Sequence, residues 1–96
     1  MSDPITRLVL IDRELRGTHA SVDLRINYNG DLIIDGYDTG SAPLAFWKSP
    51  GYEYITTVPA AYKDTILLLL LKDRFKDDSG IKKWLKAHDI PNSFWN

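Results

Sequence analysis

Six consecutive large aliphatic residues, from Ile66 to Leu71, lie inside a segment whose spacing predicts a helix. Successive helical residues are about 100° apart, so these six side chains point in every direction around the helix axis. A helix that is apolar all round must be covered on more than one side. The run therefore predicts that this helix packs against the rest of the fold and against a further surface.

Length and composition limit the fold and the chemistry. The 96 residues predict a single domain over residues 1–96, with no room for a separate catalytic lobe. The absence of cysteine excludes disulfides, thiolate nucleophiles and cysteine-ligated metal centres. The first residues lack the pattern of a signal peptide, and no apolar run is long enough to cross a membrane, so we expect a cytoplasmic protein.

Two strands are predicted before the first hairpin turn. Residues 5–15 contain four successive apolar positions, Leu8 to Ile11, which is typical of a strand covered on both faces. We expect this strand to be central in the sheet or packed against a partner. The second strand alternates apolar and polar residues from Val22 to Tyr28, as a half-exposed strand does.

The register of the next hairpin depends on the length of its turn at Asn29-Gly30. A two-residue turn would set Leu24 opposite Asp35, whereas a three-residue loop, Asn29 to Asp31, sets apolar residues opposite one another. The three-residue loop is therefore predicted, with Tyr28, Ile26 and Leu24 opposite Leu32, Ile34 and Gly36. Gly36 would then leave a side chain missing from the inner face of the sheet.

The remaining segments complete an α+β pattern. Residues 38–43 (DTGSAP) are a loop by composition, and residues 52–58 predict a fourth strand. A helix is predicted from about Pro59 to about Phe75, and a second helix after the capping residues 77–79. Because the strands are joined by short connections, the fold class is α+β, with a four-stranded, mainly antiparallel sheet followed by two C-terminal helices.

The first helix presents two apolar stripes. One stripe can lie on the sheet, and the other needs a different cover, for which the apolar face of the second helix is the obvious partner. The first stripe consists of Tyr62, Ile66, Leu69 and Leu70, the second of Leu67, Leu68, Leu71 and Phe75, and the face of the second helix of Ile81, Trp84, Leu85 and His88.

The titratable residues show no catalytic or metal-binding pattern. His19 and His88 are the only imidazoles, and we interpret both as structural. Asp31, Asp35 and Asp38 superficially suggest a calcium loop, but the flanks are strands and no Glu stands at the position that an EF-hand requires. No Gly-rich phosphate loop or activated hydroxyl is evident. We therefore expect no catalytic residue, no metal site, no cofactor and no enzymatic activity.

Aromatic residues are the best candidates for a ligand- or partner-binding site, because aromatic anchors are common in pockets and interfaces. The competing interpretation is that they fill the core. Lys82, Lys83 and Lys86 form a basic helix face, but at a net charge of −1 we expect no nucleic-acid binding. The candidate binding residues are Trp47, Tyr52, Tyr54, Phe94 and Trp95, whose segments could converge near one end of the sheet.

The apolar surface exceeds what one layer pair readily covers. Val9, Ile11 and Ile33 are expected on the second face of the sheet, and the tail ends with Phe94-Trp95, expected to dock on its own domain or on a neighbour. This excess predicts a homo-oligomer, most simply a two-fold dimer.

Four segments of the chain, LVLIDREL, NGDLIIDGYDTG, YEYITTVP and IPNSFW, together resemble a family of small, uncharacterised bacterial and phage proteins. In that family a hairpin is followed by a Tyr-Glu-Tyr strand, a Leu-rich helix and a short C-terminal helix. The resemblance spans most of the chain and implies a shared fold. It assigns no activity and no functional residue.

Three classes of function remain at this point. We favour a non-catalytic interaction module, a small regulator or accessory protein that acts by occupying a partner. The first alternative is a small-ligand binding protein that sequesters an anionic metabolite or nucleotide between aromatic rings and Arg or Lys. The second is a hydrolase or nuclease that uses His19 or His88 with an Asp.

Overall fold

The computed structural model describes residues 3–40 and 51–95. The chain divides into two compact units, one of residues Ile5–Lys63 and the other of Met1–Pro4 with Asp64–Asn96. The elements are β1 (Arg7–Leu15), β2 (Thr18–Ile26), β3 (Leu32–Gly40), β4 (Gly51–Val58), a 3₁₀ turn (Ala60–Tyr62), α1 (Lys63–Arg74) and α2 (Asp78–Ala87). The predicted α+β fold, an antiparallel sheet followed by two helices, is confirmed.

The sheet is an antiparallel meander in the order β1-β2-β3-β4. Leu15 pairs with Thr18, so only Arg16 and Gly17 connect β1 to β2, and both have positive φ angles, 51° and 76°. Such left-handed two-residue turns match the twist of a hairpin. In the strand order given above β1 lies at an edge of the sheet. Of the two positions expected for it, the central one is therefore wrong, and packing against a partner stays a prediction.

A β-bulge at Leu10 changes which residues of β1 share a face. Leu8 lies opposite Leu24 and Ile11 lies opposite Val22, so a step of three residues along β1 matches a step of two residues along β2. Leu10 is the additional residue. Ile11 consequently lies on the same face as Leu8, which corrects the prediction that it accompanies Val9 on the second face.

The two faces of the sheet differ in polarity. The apolar face carries Leu24 and Ile34 at its centre, which are directly opposite one another. On the other face, Asp23 lies directly opposite Asp35, an arrangement of like charges that is unfavourable by itself. Arg7 forms an ion pair with Asp23, and Arg25 donates to Asp35 at 2.8 Å, so each carboxylate is compensated from a diagonal position.

The β2–β3 hairpin closes through a longer loop than predicted. Ile26 pairs with Leu32, which leaves a five-residue connection from Asn27 to Asp31. The side-chain oxygen of Asn27 accepts hydrogen bonds from the backbone N–H groups of Asn29 and Asp31 at 3.0 and 2.9 Å. The backbone N–H of Asn27 donates to the Asp31 carbonyl oxygen. The predicted register is therefore wrong by two residues, although a shift of two preserves the faces.

The third strand is also longer than predicted. Asp38 and Thr39 pair with both neighbouring strands and Gly40 pairs with Thr18 of β2, whereas the sequence suggested that these residues begin a loop. Residues 41–43 of that predicted loop lie outside the described residues. Asp38 is consequently fixed on the same face of the sheet as Ile34.

Gly36 lies on the inner face of the sheet, where its lack of a side chain was expected to leave a gap. It lies opposite Val22 on one side and Tyr54 on the other, and it is buried. The ring of Tyr54 lies over Gly36, so that a Cβ atom at this position would overlap the ring. The glycine therefore provides the space in which the Tyr54 ring lies against the sheet.

Gly36→Ala should lower the free energy of unfolding by about 1–3 kcal/mol, because the added methyl group displaces the Tyr54 ring. Urea unfolding of the single variants and of the Gly36→Ala/Tyr54→Ala double variant measures the effect. The cost of Gly36→Ala should shrink when Tyr54 is already alanine. An equal cost in both backgrounds would show that the overlap with the ring is not the cause.

Asp31 links the hairpin loop to the segment after β4. Its Oδ1 accepts the backbone N–H of Ala60 at 2.9 Å, and Ala60 begins the 3₁₀ turn that follows Pro59. The first N–H groups of a helical segment have no partner within it, so a side-chain acceptor stabilises the start. The hairpin thereby fixes where the helical part of the chain begins.

Asp31→Ala should destabilise the protein by about 1 kcal/mol, the usual cost of removing a helix cap. Asp31→Asn retains an acceptor oxygen and serves as the matched control. Thermal unfolding followed by circular dichroism compares the two variants with the parent. If Asp31→Asn loses as much stability as Asp31→Ala, the effect comes from the charge of Asp31 and not from its role as a cap.

The C-terminal unit confirms the two predicted helices. Asp77 caps α2 by accepting the N–H of Gly80, and hydrogen bonds from Ser79 and Gly80 hold the pKa of the Asp77 carboxyl below its ordinary value of 3.8. The rings of Phe75 and Trp84 meet edge to face at 6.4 Å between centroids. The predicted contact between the second stripe of α1 and α2 is therefore present at Phe75.

Four successive leucines of α1 keep most of their apolar surface exposed. Leu67, Leu68, Leu69 and Leu70 are 55, 66, 56 and 60% exposed. The predicted packing of the first stripe on the sheet stays a prediction. No helix in the described ranges is long and apolar enough to cross a membrane.

Candidate functional site

Two of the predicted binding residues, Tyr52 and Tyr54, lie side by side on the apolar face of the sheet. Their ring centroids are 5.7 Å apart and the rings are tilted by 32°. They are two positions apart on β4, which puts both side chains on one face. Asp38 of β3 lies directly opposite Tyr52, so a carboxylate adjoins the two rings. We call Asp38, Tyr52 and Tyr54 the tyrosine cluster.

Asp38 gives the tyrosine cluster its electrostatic character. The Tyr54 hydroxyl donates a hydrogen bond to the Asp38 carboxylate. The second carboxylate oxygen, Oδ1, is buried and has no hydrogen-bond partner among the described residues. Partial burial, the charge of Asp38 and this hydrogen bond raise the pKa of Tyr54 above its ordinary value of 10.0, with a smaller contribution from Tyr52.

Asp38 is the residue of this cluster that sequence reasoning missed, because it was assigned to a turn. The signal was available: Asp38 follows Ile34 and Gly36 at intervals of two, so an extended third strand places all three on one face. Its charge also bears on the ligand hypothesis. A carboxylate beside two rings attracts a cation and repels an anion, whereas the sequence-based hypothesis required Arg or Lys at this place.

The other predicted binding residues lie elsewhere or are not described. Trp47 lies outside the described residues. Phe94 belongs to the C-terminal unit, where the Lys82 ammonium lies 3.8 Å from the centre of its ring. Trp95 is 92% exposed, so docking on its own domain is not observed for this ring. Convergence of all five aromatic residues stays a prediction.

The two histidines occupy different environments. His19 Nε2 lies 2.5 Å from Asp12 Oδ1 on the polar face of the sheet, and both side chains are exposed. His88 Nδ1 lies 2.9 Å from the Trp84 carbonyl oxygen, and its ring lies 4.2 Å from the Trp84 ring. The contacts of His88 agree with a structural role at the end of α2. The His19–Asp12 pair could orient an imidazole, but in open solvent the pair interacts weakly.

One depression in the N-terminal unit is described, and it is small. A depression of about 160 Å³ lies between the first residues of β1 and the end of β2, with Ile5, Leu8, Leu24 and Ile26 among its lining residues. Pockets for drug-sized ligands measure about 300–1,000 Å³. Among the described residues, no group of three or more His, Cys, Asp or Glu side chains could hold a metal ion.

The outer edge of β1 is an exposed apolar surface of the N-terminal unit. We call it the β1 edge. Its strand is nine residues long, and it has no neighbour on its outer side within the described sheet. Leu8, Val9, Leu10 and Leu15 are 57, 62, 60 and 65% exposed. A long apolar edge strand is a template for pairing with another chain.

Comparison with known proteins adds no functional information. No protein-family model matches the chain, and searches of curated proteins and of solved structures find no match either.

The raised pKa of Tyr54 predicts a measurable pH dependence. Because the folded state favours the protonated phenol, its stabilisation is present below about pH 10 and is lost as the pH rises through the folded pKa. Ultraviolet absorbance titration of the parent against Tyr54→Phe isolates this phenol. In Asp38→Asn the pKa of Tyr54 should fall toward 10.0. An unchanged titration curve in that variant would contradict the assigned role of Asp38.

Proposed function

We propose that this chain is a non-catalytic interaction module, a small cytoplasmic regulator or accessory protein that acts as a homo-oligomer and exerts its effect by occupying a partner. The observation that carries the proposal is the β1 edge, where Leu8, Val9 and Leu10 are more than half exposed on a strand that has no outer neighbour in the part of the chain that the structure describes.

The physical argument concerns both the backbone and the side chains of this strand. An edge strand presents a row of N–H and C=O groups that can pair with a further strand. Burying exposed leucine and valine side chains contributes about 1.5–3 kcal/mol for each fully buried residue. A second copy of the chain supplies an identical strand at the same concentration. Association through the β1 edge therefore satisfies the backbone and covers the apolar side chains together.

The polar face of β1 supports a defined association and not an unspecific one. Arg7 and Asp12 are mostly exposed, with 68 and 66% of their side-chain surface accessible. Charged residues on an edge strand select among partners because like charges directly opposite one another are destabilising. The β1 edge thus combines apolar surface with charges that can discriminate one pairing from another.

Two alternatives rank below this proposal. A small-ligand binding protein is supported by the tyrosine cluster, where the unpaired oxygen of Asp38 favours a cationic ligand over the anionic metabolite or nucleotide expected from sequence. A His-dependent hydrolase or nuclease is supported only by the exposed His19–Asp12 pair. Neither feature has the extent of the β1 edge.

Sedimentation velocity from about 1 to about 100 µM tests the proposal, and we expect a dimer whose population grows with concentration. Leu10→Lys places a charge on the β1 edge in both copies. Losing two buried leucines at about 1.5–3 kcal/mol each should weaken association about 100-fold or more. The matched control is Tyr28→Lys, because Tyr28 is 96% exposed on the hairpin loop, away from this edge.

A parent protein that stays monomeric at tens of micromolar would overturn homo-oligomerisation. A dimer that Leu10→Lys and Tyr28→Lys leave equally intact would show that association uses a surface other than the β1 edge.

A further inference from the structure

We infer that β1 pairs antiparallel with β1 of a second copy, across a two-fold axis that passes between Val9 and Leu10, so that two four-stranded sheets form one continuous sheet. The inference rests on the proposed function and specifies its partner and register. The partner is a second copy of this chain. Val9 of one copy lies opposite Leu10 of the other.

The bulge makes this axis possible. Residues directly opposite one another in an antiparallel pair share a face. In a regular strand, adjacent residues point to opposite faces of the sheet. A two-fold axis between two neighbours would therefore set each residue opposite a residue that points to the other face. In β1, however, Leu8 and Ile11 share the apolar face, because they lie opposite Leu24 and Val22. Leu8 and Ile11, which flank the Val9–Leu10 bond, are therefore equivalent in their facing about it.

The polar face of β1 obeys the same symmetry. Arg7 lies opposite Arg25 and Asp12 lies opposite Ser21, and both of these β2 residues belong to the face that carries Asp23. Rotation about the proposed axis brings Arg7 of each copy opposite Asp12 of the other. Leu8 of each copy meets Ile11 of the other on the apolar face. Between residues 7 and 12, every cross-copy contact is thus either apolar with apolar or positive with negative.

Neighbouring registers keep less of this complementarity, although an axis between Leu10 and Ile11 retains one charge pair, Arg7 with Glu14. An axis between Leu10 and Ile11 would set Leu8 opposite Arg13 and Val9 opposite Asp12. An axis through Leu10 would set Leu8 opposite Asp12, from the other face. Because opposite charges directly across a strand pair contribute about 0.2–1 kcal/mol and mismatched faces expose apolar residues, the axis between Val9 and Leu10 is favoured.

A bulge on an edge strand ordinarily hinders pairing, because it interrupts the alternation that a regular partner strand needs. The proposed axis removes this obstacle by placing the two bulges side by side. The segment before the bulge in each copy then pairs in register with the segment after the bulge in the other copy. A regular strand of another protein could not match both segments, so the bulge makes the β1 edge selective for itself.

A charge exchange between two variants tests the register. Arg7→Asp carries acids at positions 7 and 12, and Asp12→Arg carries bases at both, so each variant alone opposes like charges twice across the axis. Each should self-associate about tenfold or more weakly than the parent. An equimolar mixture should form a heterodimer of near-parental affinity, because both charge pairs are then restored. Sedimentation of one fluorescently labelled variant, titrated with the other, measures this affinity.

Glu14→Arg is the matched control for Asp12→Arg. It makes the same charge change on the same strand, but in the proposed register position 14 lies opposite Ile5 of the second copy. Mixing Glu14→Arg with Arg7→Asp should therefore give no preferential heterodimer. A heterodimer in this mixture would instead place the axis between Leu10 and Ile11, since that axis sets Arg7 opposite Glu14, and would overturn the proposed register.

Disulfide trapping gives a second readout that leaves the charges of β1 unchanged. The chain has no cysteine, so single cysteines can be introduced without competition. A mixture of Leu8→Cys and Ile11→Cys should form mixed disulfide dimers in preference to those formed by either variant alone, as mass spectrometry would show. Preferential Leu8→Cys homodimers would place the axis at Leu8 and overturn the inference.

The outcomes separate this inference from the proposed function. A monomeric parent removes both. A dimeric parent that shows no preferential heterodimer in the charge exchange and no mixed disulfide retains homo-oligomerisation but overturns pairing through β1 in this register. Since the single variants and their mixture contain the same chains, recovery in the mixture also shows that the variants fold.

Discussion

The hydrogen bonds that close the β2–β3 hairpin determine the register on which the sheet depends. Asn27 accepts two backbone N–H groups of the loop, and Asp31 accepts the N–H of Ala60. These contacts fix a five-residue connection, and the pairing of every residue in β3 follows from it. Gly36 then lies beside Tyr54, and Asp38 lies beside Tyr52. A polar loop of short-range contacts thereby places both the inner glycine and the carboxylate of the tyrosine cluster.

The same register places charges where they need compensation. Asp23 and Asp35 are directly opposite one another, and the neighbouring arginines neutralise them from diagonal positions. Such partly exposed ion pairs contribute little free energy individually, yet they penalise other registers, because a shift of one residue would move the charges to the apolar face. The ion pairs on this face are therefore important mainly for specificity. The same face also carries Ile33, which is only 5% exposed and lies opposite Arg25 and Thr57, so apolar burial stabilises the face that carries the charges.

The edge strand shows how one local irregularity changes the meaning of a sequence pattern. Four successive apolar residues, Leu8 to Ile11, indicate a strand covered on both faces, and the prediction that followed was a central position or a partner. The bulge at Leu10 returns Ile11 to the face of Leu8, and the strand order places β1 at the edge of the sheet. Leu8, Val9 and Leu10 of the apolar run are consequently exposed on an edge strand and form no second covered layer.

The sequence by itself determined the kinds of elements and their order. Alternation in the strands, Pro59 before the helical segment and Asp77 before the second helix are local signals, and local signals decide where elements begin and which faces are apolar. Only the tertiary structure decided the hairpin register, the bulge, the position of β1 and the contact of Asp38 with Tyr54. The bulge, the position of β1 and the contact of Asp38 with Tyr54 depend on pairing between residues distant along the chain, whereas the hairpin register depends on the length of a loop closed by contacts of Asn27. Two registers that differ by two residues present the same faces, so the periodicity of the sequence cannot distinguish them.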